Sequence, residues 1–151
     1  MTRGTIWMAL LLATSTAWPS DRTAQPLSCV YTDGCGCRVA VPNMRCPANL
    51  STHFFHELAE GSPLKFDLGK REVLAQSTKP WNNHFGYGEG DSWTEDFQFP
   101  GGTARVDYSP GRSTCPKDAE DGCEYFDVRA RVKISDSAGV RSYEGVGKCG
   151  C

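Results

Sequence analysis

The sequence predicts an all-β domain: an antiparallel sandwich or partly open barrel of about six strands, stapled by disulfides. Three observations lead there. Apolar and polar residues alternate with period two through most of the chain beyond Gly61, Gly-rich turns separate these runs, and eight cysteines follow an apolar leader.

In chain order, the leader comes first. "MTRGTIWMALLLATSTAW" sets Arg3 ahead of an apolar run from Ile6 to Ala13 and then small residues through Ala17, the order of a secretory signal peptide. We therefore expect a signal peptide over 1–17, a flexible leader over 18–28 and a single disulfide-rich domain over 29–151. The apolar run is far shorter than the roughly 20 residues of a membrane-spanning helix. The expected location is secreted or periplasmic, with no membrane insertion.

The segment from Cys29 to Pro47 carries four cysteines and two prolines, and reads as a knot without a long helix. "STHFFHELAEG" follows, where Ser51 can cap a small helix near 51–60 that ends at Gly61. "PLKFDL" and "REVLAQST" form the next expected strand pair, turning at Gly69-Lys70. In "DSWTEDFQF", Trp93, Phe97 and Phe99 share one face. Gly101-Gly102 turns the chain into "TARVDY", with Ala104, Val106 and Tyr108 inward. "EYFDVRARVKI" alternates most cleanly: Phe126, Val128, Ala130, Val132 and Ile134 face in, while Asp127, Arg129, Arg131 and Lys133 face out. "SDSAG" then turns, with Gly139 at positive φ, into "VRSYEGV".

An exported chain with an even number of cysteines is expected to form disulfides rather than a metal cage. Cys115–Cys123 would brace a short acidic loop, and Cys29–Cys46 would close the first segment. Two Cys-Gly-Cys triplets remain, Cys35 and Cys37 near the start of the domain and Cys149 and Cys151 at its far end. Residues i and i+2 of a strand share a face, so two such triplets laid side by side form two rungs. Antiparallel neighbours give Cys35 with Cys151 and Cys37 with Cys149; parallel neighbours give the reverse. The competing reading of the triplets is a thiolate metal or redox site.

Other chemistry is thinly signalled. On a helix, "HFFHE" would bring His53, His56 and Glu57 to one face as metal ligands, with His84 as a further donor, although the metalloprotease pattern is absent. No nucleophile elbow occurs. Glu89, Asp91, Glu95 and Asp96 supply carboxylates for a small hydrolase, but acids on loops and wet strand faces are ordinarily solvated. These missing motifs argue against an enzyme, and no cofactor is expected. Arg129, Arg131 and Lys133, with Arg105, form a cationic stripe that suits an anionic ligand, or simply the polar face of a sheet. With 16 basic and 18 acidic residues the net charge is −2, which disfavours a nucleic-acid partner. "NLS" at Asn49 is a glycosylation sequon in a eukaryotic host.

What remains is two loops: an aromatic one with Trp81, Phe85, Tyr87 and Trp93, and an acidic one with Asp118, Glu120 and Asp121. A loop held by a disulfide loses less entropy on binding, and Trp and Tyr are favoured contact anchors. The expected function is a binding protein that recognises another protein through these loops, as an inhibitor of a secreted hydrolase. The sequence leaves the oligomeric state open.

Overall fold

The computed structural model describes residues 27–48, 50, 52–59, 61–69, 71–80, 89–115 and 125–151. They form eight strands: β1 (Gly36–Ala40), β2 (Phe54–Glu57), β3 (Leu64–Asp67), β4 (Glu72–Ser77), β5 (Trp93–Phe99), β6 (Gly102–Ser113), β7 (Phe126–Asp136) and β8 (Gly139–Gly150). Each pairs antiparallel with the next, and β8 returns to β1, so the sheet closes into a barrel. The expected sandwich or open barrel of about six strands is thus corrected to a closed barrel of eight.

The two additional strands are β1 and β2. "HFFHE" pairs as a strand on both sides, Phe54 with Val39 of β1 and with Phe66 of β3. This replaces the helix expected near 51–60, and the reason is burial on both faces. Phe54 points inward, 6.1 Å from the Phe66 ring and 5.6 Å from Tyr143, while Phe55 is covered from outside by the Arg38 guanidinium, 5.4 Å above its ring. A two-turn helix offers only one apolar face, so pairing wins.

Beyond Gly61 the alternation is realised. The inward residues of β5, β6 and β7 are buried, among them Phe97, Val106, Tyr108, Val132 and Ile134, each worth about 1.5–3 kcal/mol on the usual transfer scale. Gly139 turns β7 into β8 at φ +116°, a conformation only glycine adopts without strain. The outer face is charged. Arg131 donates to Glu144 at 2.5 Å, and Arg105 lies within 3.7 Å of Asp96 and Asp107, so acids interleave the cationic stripe. A charged exterior around an apolar interior is the reverse of a membrane barrel. Among the described residues, no helix is long and apolar enough to cross a membrane.

Closure depends on glycine at the seam. A Cβ on Gly147 would lie 1.7 Å from the Arg38 carbonyl oxygen, and one on Gly145 would lie 2.3 Å from Val39 Cγ1. Without side chains there, β8 approaches β1 closely enough to pair Val39 with Gly147 and Cys37 with Cys149. The end of the leader is pinned as well: Leu27 is buried, Ser28 bridges Asp67 and Val30 bridges Thr52.

Candidate functional site

A meander alternates its connections between two ends. The β2–β3, β4–β5 and β6–β7 connections leave from one end, where β1 starts and β8 finishes; the four remaining connections leave from the other. The loops singled out from sequence are therefore anchored at a common end, one between Ser77 and Trp93 and the other between Ser113 and Phe126. Trp81, His84, Phe85, Tyr87, Asp118, Glu120, Asp121 and Cys123 lie outside the described residues, as do Asn49 and residues 1–26.

The same end carries a covalent clasp. Cys35 is bonded to Cys151 and Cys37 to Cys149, the antiparallel choice of rungs. Cys37 and Cys149 are fully buried, whereas Cys151 is exposed. All four sulfurs are consumed in these bonds, so a thiolate site at the triplets would first require reduction. Cys115 is also disulfide-bonded, at the foot of the acidic loop.

Trp93 is not a surface anchor. It is in phase with Phe97 and Phe99 on the inner face of β5, stacks on Tyr108 with centroids 4.7 Å apart, and meets Phe126 edge-on at 6.3 Å. Just inside the clasp end it is joined by polar side chains. His56 and Glu95 are both buried, and the Tyr108 hydroxyl is 3.3 Å from His56 Nδ1. Burial, and secondarily the charge of Glu95, push the Tyr108 phenol far above its usual range. Beside His56 and Glu95, and reaching Ser62 and Lys79, is a cavity of about 10 Å³, close to the minimum for one water. Sequence reasoning missed this cluster, although Glu95 falls in phase with three aromatics, a signal that an acid occupies the apolar face.

On the outer surface at this end, an open groove of about 690 Å³ runs between Pro110, Arg112, Asp127, Arg129, Val146 and Lys148. Its shape follows from β6, whose register with β7 shifts between Pro110 and Ser113, where proline has no N–H for the ladder. Glu89 lies 3.6 Å from Arg112 across the groove. Val146, half exposed at 51%, supplies an apolar wall.

The histidine set expected as metal ligands is dispersed by the strand. His56 points into the barrel toward Tyr108 and Phe97, and Glu57 is exposed on the opposite face. His53 belongs to the other end of the barrel, where Cys29 is bonded to Cys46. Its Nε2 lies 3.6 Å from Cys29 Sγ and 3.7 Å from Cys46 Sγ. Next to them a surface cavity of about 390 Å³ is lined by Leu27, Met44, Arg45, Pro47 and Leu50.

Comparison of the chain with protein-family models, with curated proteins and with solved structures finds no match in any of the three.

Proposed function

We propose that this is an exported, disulfide-stabilised binding protein that takes another protein at the clasp end of its barrel. The observation that supports this reading is the common end: both candidate loops are anchored there, beside the groove between β6 and β8, on a sheet closed by two disulfide rungs. A loop set on such a platform loses little freedom when a partner docks. The disulfides suit an oxidising compartment, and the apolar segment of residues 1–17 supplies the route to it. The acidic residues Asp118, Glu120 and Asp121 suit the cleft of a cationic partner, and a secreted hydrolase such as a lysozyme, inhibited by occupation of that cleft, is the partner class we propose.

Calorimetric titration against a panel of purified cationic secreted hydrolases, a lysozyme among them, tests this. Wild type binds at least one, and Trp81→Ala or Asp118→Ala weakens that complex by about tenfold or more, the loss expected of a contact anchor. Failure of wild type to bind any member, or variants that bind like wild type, sinks the reading.

A further inference from the structure

The Cys29–Cys46 disulfide differs from the clasp in what surrounds it. His53, buried with only 1% of its surface exposed, lies against both sulfurs. Its tautomer follows from the backbone: the Val41 N–H donates to Nδ1 at 3.1 Å, so in the neutral ring Nδ1 is the acceptor and Nε2 carries the hydrogen. Thr52 stiffens the support, its hydroxyl donating 2.8 Å to the Val39 carbonyl, and the His53 N–H donates to the same carbonyl at 3.0 Å. The result is an imidazole held against a disulfide: Cys46 Sγ lies beside the ring, 3.7 Å from Nε2 and 3.9 Å from Nδ1, and Cys29 Sγ lies 3.6 Å from Nε2.

Two chemistries compete for this trio. The ligand atoms of Cys29, Cys46 and His53 lie within 4.8 Å of one another, a spacing that a soft metal accepts once the sulfurs are reduced. Coordination, however, needs the lone pair of Nε2, and that requires the proton to move to Nδ1, where the Val41 N–H already points. Thiol–disulfide exchange needs the opposite: a donor beside the sulfur that departs with the electron pair. Access is also provided. Cys29 lines the 390 Å³ cavity and Cys46 does not, so one sulfur faces an entering group while the other is held behind it.

We infer that Cys29–Cys46 is an exchange-active disulfide, opened at Cys29 by a thiolate entering the cavity beside Leu50 and Met44, with His53 Nε2–H as the neighbouring donor that the Cys46 sulfur turns to as it departs. In this step the incoming sulfur bonds to Cys29 Sγ and the Cys29–Cys46 bond breaks. Its electron pair stays on Cys46 Sγ, which on separating from Cys29 turns the short distance needed to accept a hydrogen bond from His53 Nε2. The products are a mixed disulfide and one thiolate. A second thiolate then attacks the incoming sulfur and releases Cys29, so that two thiols have been oxidised to a disulfide and the protein disulfide has been reduced to two thiols. The entering group is a thiolate with an apolar flank, since Leu27, Met44, Pro47 and Leu50 line the cavity, and with an anionic group for Arg45 at its wall. A small molecule and a peptide cysteine both carry such chemistry.

The test uses the intact oxidised protein, which contains its own comparator. Wild type is exposed in separate arms to reduced glutathione and to an unstructured cysteine-containing peptide, quenched by alkylation at intervals, and mapped by mass. Cys29 and Cys46 are expected to become labelled about tenfold faster than Cys35 and Cys151, although Cys151 is the exposed sulfur; faster opening in one arm identifies the source of the thiol. His53→Asn keeps an acceptor for Val41 but, being shorter, withdraws the donor from the Nε2 position beside the sulfurs, and slows Cys29–Cys46 opening about tenfold while leaving Cys35–Cys151 unchanged. Should that variant not fold, Leu50→Trp, which fills the cavity, carries the same expected slowing. First opening at Cys35–Cys151, or a Cys29–Cys46 rate unaffected by the folded variant, overturns the proposal.

Discussion

The clasp end and the turn end of the barrel are both held by disulfides, yet the sulfurs keep different company. At the clasp, Cys37 and Cys149 are sealed between paired strands, and a second rung, Cys35–Cys151, repeats the connection one step outward. At the turn end a single bond, Cys29–Cys46, sits against an oriented imidazole and an open cavity. A disulfide surrounded by backbone and apolar side chains acts on stability alone. One with an imidazole donor beside it and room on the other side has the means to react.

The strongest way to break this contrast is to delete the clasp. Its two rungs close nearly the same loop, with sequence separations of 116 and 112 residues, so either alone retains most of the entropic benefit. Replacing Cys35 and Cys151 by serine should move the urea midpoint little, whereas replacing all four cysteines should cost about 4–5 kcal/mol in the chain-entropy model. A first deletion as costly as the pair would show that the rungs are not redundant. Next in size is Gly147→Ala. The added Cβ meets the Arg38 carbonyl at 1.7 Å, and forcing β8 from β1 should destabilise by about 1–3 kcal/mol. Measured by urea unfolding, an unperturbed midpoint would show that the seam has slack.

The smallest effect sharpens the turn end. Burial holds the His53 imidazole below its ordinary value of 6.5. The unfolded chain therefore binds a proton that the folded chain refuses, and stability falls as pH drops below about 6.5 until the depressed folded value is reached. The loss is about 1.4 kcal/mol for each unit of depression. Urea midpoints measured between neutral pH and mildly acidic pH should show this slope in wild type and lose it in His53→Asn.

The half of the barrel built from β5 to β8 was legible because its strands run 7, 12, 11 and 12 residues, and β5, β7 and β6 as far as Pro110 alternate cleanly. β1 and β2 have only 5 and 4, and in "HFFH" both faces are apolar or aromatic, so no period exists to read. Their identity comes from distant partners. Closure was hidden for the same reason: Gly145 and Gly147 resemble ordinary strand glycines until β1 lies against them. Trp93 illustrates the cost of reading one residue two ways, as part of an inner face and as a loop anchor. The inner face prevails, and it brings Glu95 with it. The His53 arrangement could not be read at all, since it joins residues 29, 41, 46 and 53 through one hydrogen bond and one disulfide.

The clasp also keeps a record of alignment. Cys37 faces Cys149 only in the register that sets Gly36 opposite Gly150. A slip by two residues would pair Cys37 with Cys151 and strand the other two sulfurs, and a slip by one would turn each sulfur toward the opposite face. Two correct bonds thus certify the register in which β8 meets β1 as the ring is locked. A non-reducing peptide map of the purified protein would accordingly read out fidelity of that alignment, molecule by molecule.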